Sequence, residues 1–175
     1  MRRKLVGIVA VVIPLTLSAA PPPQKVTLTA PASIHAEHEE IHEALVALTK
    51  ATGPVGASAQ ELASALHPHF VREEEIALPP LGLLRPLAAG TTPDGMREAE
   101  VMSDTLRKEM PRMLEEHTRI RSAVEKLQRV GREERHAGAE AFAVKLSQHA
   151  QMEEEVLYPA AILVGELIRA RMPRR

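Results

Sequence analysis

Four stretches of this chain set large apolar residues at alternating steps of three and four, and the stripe they draw is interrupted only by histidine and glutamate. The first stretch gives Ile34, His38, Ile41, Leu45 and Leu48. The second gives Leu62, Leu66, His69, Glu73 and Ile76. The third runs through Leu106, Met110, Met113, His117, Ile120, Val124 and Leu127, and the fourth through Phe142, Leu146, His149, Glu153 and Val156. Such steps return to one face of an α-helix at every turn, so each stretch predicts an amphipathic helix with its stripe turned inward. No Lys, Asp, Ser, Thr or Asn falls on the stripe; only two polar residue types do, and both are metal ligands.

The cost of burying them says what they are for. An ionised carboxylate without a partner costs several kcal/mol to bury, and an unsatisfied imidazole about 1–3 kcal/mol. Six such groups on one bundle axis would consume about 10 kcal/mol, comparable with the whole stability of a domain. A shared positive charge removes that penalty. The spacing suits it, because His69 and Glu73 stand one helical turn apart, as do His149 and Glu153, so each pair converges on one spot. His38 and His117 add one nitrogen each from the other two helices. Four imidazoles and two carboxylates divide between two ions, with the carboxylates available to bridge.

The pattern is also written twice. "HFVREEE" at 69–75 returns as "HAQMEEE" at 149–155, each followed by proline, and "EHEEIH" at 37–42 matches "EHTRIR" at 116–121. His38 precedes His69 by 31 residues and His117 precedes His149 by 32. The expected fold is therefore all-α: an up-down four-helix bundle of two duplicated helical hairpins, each donating His, His and Glu. The composition agrees. With a single Tyr and two Phe in 175 residues, the core must come from Leu, Ile, Val, Met and Ala, a palette that favours helices.

Boundaries follow from local signals. The first helix is expected from about Ile34 to Ala51, and the second from a capping box at Ser58 and Glu61 to just before Pro79. "PPLGLLRPLAAGTTPDG" reads as a crossing loop, and the third helix fills 96–130 until "VG" stops it. The fourth runs from about Glu134 to Tyr158, and a short C-terminal helix after Pro159 packs on the bundle end. Pro68 and Pro111 fall inside helices. Off the stripe, Glu74, Glu75, Glu154 and Glu155 are expected in solvent, or else behind the site histidines, and His35, His67 and His136 are expected in solvent. His42, one turn beyond His38, is a further candidate near the site.

The N-terminus stands apart. "MRRK", an apolar "LVGIVAVVIPLTL" and "SAA" make residues 1–20 a signal segment, cut after Ala19 because cleavage after Ala20 would leave Pro21 beside the scissile bond. The apolar run is short for a membrane span, although an uncleaved anchor is the alternative. Residues 21–33 form a Pro-rich linker, and 34–171 the bundle. The expected location is periplasmic or extracellular. Removing 1–20 takes away three basic residues and no acid, so the remainder is more acidic than the full chain at −1, and no nucleic-acid footprint is present. With no cysteine, disulfides and thiolate metal sites are excluded.

Over about residues 34–160 these motifs, in this order, resemble a hemerythrin-like, HHE cation-binding domain. The resemblance implies a four-helix bundle holding two non-haem irons, with His38, His69, Glu73, His117, His149 and Glu153 as ligands and the two glutamates bridging. Manganese or zinc suits the same donors. Two departures stand out. Oxygen-carrying hemerythrins have a further histidine one turn before the third-helix ligand, where this chain has Met113. They also carry an aspartate five residues after the fourth-helix histidine, where this chain has Glu153 at four. Water or His42 would complete the site.

The expected activity is binding or sensing of O2, NO or peroxide at the metal site, a binding role more than an enzyme's, with no membrane partner beyond export. Metal storage or trafficking is the alternative. A ferritin-like oxidase would use Glu-x-x-His pairs, here Glu39/His42 and Glu133/His136, but no glutamate-bearing helix precedes the first pair and the second lies off the stripe. A metal-free helical interaction protein conflicts with the burial cost above.

Overall fold

The computed structural model describes residues 28–172. The signal segment and most of the Pro-rich linker lie outside the described residues. Helix α1 spans Ala32–Thr49, α2 Gly53–Ile76, α3 Leu84–Ala88, α4 Met96–Glu133, α5 Ala137–Met152 and α6 Tyr158–Arg171. There is no strand among the described residues.

Helices α1, α2, α4 and α5 form the bundle. α1 packs on α2, α2 on α4, α4 on α5, and α5 closes the ring on α1. Those neighbours are what two antiparallel hairpins produce when set side by side. One end is a wholly apolar core, where Ile41, Leu62, Leu127 and Leu146 are each 1% exposed or less. The other end gathers Ile76, Leu78, Leu106, Met113 and Tyr158, and beyond it Leu87, Ala99 and Ile168 pack α6 onto α3 and α4. The six polar stripe residues lie buried between the two ends. Among the described residues no helix is long and apolar enough to cross a membrane.

The differences from expectation are local and have local causes. α2 begins five residues before Ser58, because Pro54 is preset for a helix's first turn. Ser58 is then interior and buried, and Glu61 pairs with Lys126 of α4 instead of capping. The expected crossing loop is mostly helical: a 3-10 segment at Pro79–Leu83 leads into α3, and Pro79, Pro80, Leu81 and Leu83 are all buried. Gly131 does not stop α4, which continues to Glu133. Its missing side chain serves packing, since a Cβ there would stand 3.0 Å from that of Ala139 on α5. The chain turns at Arg135, which takes a left-handed φ of 53°. His136 is partly buried and caps α5, its Nδ1 accepting from the Ala139 amide at 3.1 Å.

The largest difference is at the end of the fourth stripe. Between α5 and α6 the chain makes a π-helical turn over Glu153–Leu157, with the Tyr158 amide donating to the Glu153 carbonyl. Pro159, directly after, has no N–H to continue the regular ladder, and a widened turn accommodates it. The extra residue shifts the helical phase. Val156, expected on the stripe, is 49% exposed, and Tyr158, 1% exposed, takes the inward place. The helix thus runs on through Pro159 instead of ending at Tyr158.

Candidate metal centre

All six stripe residues meet. His38, His69, Glu73, His117, His149 and Glu153 are each 2% exposed or less, and they form two overlapping groups whose donor atoms lie within 4.8 Å of one another. His69, Glu73, His117 and Glu153 make one; His38, His149 and Glu153 make the other. The π turn starts at Glu153, so α5 delivers His149 and Glu153 at regular spacing before the phase changes.

Both carboxylates face both halves. Glu153 Oε1 lies 2.9 Å from His149 Nε2 and 3.3 Å from His38 Nε2, while its Oε2 lies 3.5 Å from His117 Nε2. Glu73 Oε1 lies 3.4 Å from His69 Nε2, and its Oε2 3.9 Å from His38 Nε2. Several of these contacts are not hydrogen bonds. Glu73 Oε2 and His149 Nε2 are buried with no hydrogen-bond partner, although polar groups are near. Buried polar atoms are nearly always paired, so donors converging at this spacing without pairing fit a cation between them.

Charge gives the same answer. Burial, and then the neighbouring Glu153 charge, push the Glu73 carboxyl above the usual range, against the pull of His69 and Tyr158. Burial alone would also raise Glu153, but the imidazoles of His117, His149 and His38 gathered around it hold it well below that range. Two buried carboxylates this close do not both ionise comfortably on protein charges alone. Burial would lower His69, yet Glu73, Glu116 and Glu153 outweigh it and push it up to about 9. His149 is raised against burial by Glu153 and Glu73. The pocket therefore selects positive charge.

Behind each imidazole stands a second carboxylate. His69 Nδ1 is 2.9 Å from Glu116 and His117 Nδ1 is 2.7 Å from Glu154. His149 Nδ1 is 3.5 Å from Glu37 and His38 Nδ1 is 3.8 Å from Glu74, a looser half. The duplication is visible here too: Glu37 and Glu116 directly precede a site histidine and reach one in the other repeat, while Glu74 and Glu154 serve their own. Glu154 is thus not a solvated acid. Burial alone would raise it, but Arg121 and His117 hold it below the ordinary range, and His69 and Arg112 do the same for Glu116. Glu75, by contrast, is exposed and pairs with Arg72.

Tyr158 was not among the expected site residues. Its hydroxyl donates to Glu73 Oε1 and lies 3.2 Å from His117 Nε2 and 3.4 Å from His69 Nε2. Burial, followed by the charges of Glu73 and Glu153, raises the phenol far above its ordinary range, so among protein groups alone it stays protonated. The signal was there to read: it is the lone tyrosine of the chain, immediately before the proline that closes the second motif.

His42 belongs to neither donor group. It is exposed and, with His35, Glu39, His67 and Glu74, lines a surface cleft of about 260 Å3. That cleft reaches His38 beside Phe70, whose ring stacks on the imidazole at a centroid distance of 4.1 Å.

A match to known families bears on this arrangement. The profile of the hemerythrin HHE cation binding domain matches residues 29–161, most of the chain and all six site residues. The chain belongs to the hemerythrin HHE cation-binding family. The hemerythrin-type domain is an all-α bundle that binds metal cations, and the His/Glu groups suited to hold them lie at its centre. No curated protein and no solved structure matches the chain.

Proposed function

We propose that this hemerythrin-family chain is an exported non-haem diiron protein that binds or senses O2 or a related small oxidant, NO or peroxide, inside the bundle. The observation that carries this reading is the sharing of two buried carboxylates between two histidine pairs, His69 with His117 and His38 with His149. Each pair needs one oxygen from Glu153, and Glu73 spans the same gap. The six residues would hold two irons, which would supply electrons to a bound diatomic molecule.

The residues themselves do the positioning. With the imidazoles of His69 and His117 neutral, each Nδ1–H turns outward to Glu116 or Glu154, which fixes the tautomer and leaves Nε2 inward as the donor, while Glu37 and Glu74 stand farther off behind His149 and His38. The apolar layers on either side keep water away from the centre. Four imidazoles against two carboxylates make a shell that favours binding over oxygenase chemistry, which uses more anionic ligands. Export rests on the signal segment at 1–20.

Loading the protein with ferrous iron under nitrogen and then admitting air tests the reading. A charge-transfer band near the ultraviolet edge is expected; an iron form that stays colourless and unreactive overturns it. The cleft favours a second reading, metal storage or trafficking, since its histidines and carboxylates lead from the surface to His38. That reading expects iron to leave on mild reduction or chelation, with no spectral response to O2 or NO.

A further inference from the structure

We propose that Tyr158 is itself a ligand, giving a phenolate oxygen to the cation held among His69, Glu73, His117 and Glu153. The proposal rests on the metal reading above and deepens it. Around a first-row ion with bonds of about 2.0–2.2 Å, neighbouring donors stand about 3.0–3.6 Å apart. His69 Nε2 and Glu73 Oε1 are 3.4 Å apart, and His117 Nε2 and Glu153 Oε2 are 3.5 Å apart. The phenol oxygen keeps the same separations, 3.4 Å from His69 Nε2 and 3.2 Å from His117 Nε2. It stands where a further donor to the same ion would, once its hydrogen bond to Glu73 is given up.

Lone-pair accounting points the same way. With both imidazoles neutral and their Nδ1–H groups turned to Glu116 and Glu154, each Nε2 presents a lone pair inward. The phenol has one hydrogen, and Glu73 receives it. Once His69 is neutral, as metal binding requires, three acceptor atoms face one another with no proton among them, an arrangement that is repulsive alone and attractive around a cation. A tyrosine serving only to hold Glu73 would need no approach to either nitrogen.

The chain's departure from the oxygen-carrying pattern leaves room for this donor. Met113, where those proteins have a further histidine, is fully buried in the same apolar cluster as Tyr158. In the first repeat the equivalent of Tyr158 is Leu78, five residues after Glu73, buried and without a donor atom. Only one of the two groups therefore gains an oxygen. The His38/His149 side, next to the cleft, keeps a position for an outside ligand. On ligation the phenol O–H bond breaks and an oxygen lone pair forms the new bond. The phenol proton is released to solvent as the cation takes its place, and no electron moves.

Because the chain has one tyrosine, any tyrosine ring vibration enhanced by resonance with a ferric absorption belongs to residue 158. The full chain is loaded with ferric iron, its metal content measured by mass spectrometry, and its resonance Raman spectrum recorded. The expected result is a visible charge-transfer band with tyrosine ring modes that shift in protein grown on ring-deuterated tyrosine. Band and modes are expected to vanish in Tyr158→Phe at unchanged iron content. Iron-loaded protein without those modes, or modes that survive Tyr158→Phe, overturns the ligation and leaves the metal reading standing. A chain that takes up no iron overturns both. The isotope comparison uses unsubstituted protein, so it decides the matter even where Tyr158→Phe does not fold.

Discussion

Behind His69 and His117 the Glu116 and Glu154 carboxylates make short contacts to Nδ1, and removing either charge tests whether they tune the site. Glu116→Gln and Glu154→Gln are each expected to weaken metal binding about 10–100-fold while the helical circular-dichroism signal is kept. Competition with a chelator of known affinity measures it. Glu75→Gln, on an exposed pair with Arg72, is the control that leaves affinity unchanged. His69 gives a pH dependence to chelator-treated protein. Its value near 9 in the fold lies above the ordinary 6.5, so the stability it contributes is complete below about pH 6.5 and is lost as pH rises through about 9. Urea melts of chelator-treated protein are expected to show that decline, and a flatter profile in His69→Asn. Metal uptake near neutral pH is correspondingly expected to release protons, measurable with an indicator dye.

At the level of the helices, α4 and α6 pack closely at Gly165, just beyond the π turn. A Cβ on Gly165 would stand 2.5 Å from that of Ser103, whose Oγ donates to the Ala161 carbonyl at 2.7 Å. Gly165→Ala is expected to destabilise the fold by about 1–3 kcal/mol through overpacking, with partial recovery when Ser103→Gly is added. Denaturant midpoints check this. A lost midpoint with no recovery in the pair would mean that the crossing is not the cause. In the far apolar end, Leu62 is fully buried, and Leu62→Ala is expected to cost about 2–5 kcal/mol without altering metal content, because no site residue depends on it.

Across the whole molecule, the buried His/Glu centre ties the two hairpins together, so a cation there acts on the entire bundle. With free metal at about a hundred times its dissociation constant the gain is about 2.7 kcal/mol, which for a domain of this size raises Tm by about 5–10 °C. Calorimetry before and after chelation measures it, and identical melting curves would sink the claim that the six residues share a cation. The duplication, the inward stripe, the six buried His and Glu positions and the four-helix ring were legible in one dimension, because a helix repeats its faces at a fixed angle and burial makes polar exceptions conspicuous. Boundaries such as Pro54 and Gly131 were misread where a residue with a strong local habit served packing or initiation instead. What only the tertiary structure decided lies past the π turn and between the repeats. One residue added to a helical turn rotates everything after it, which exchanges Val156 for Tyr158, and no periodicity announces where that happens. The reach of Glu37 to His149 and of Glu116 to His69 depends on how two hairpins sit against each other, a distance that sequence spacing does not contain.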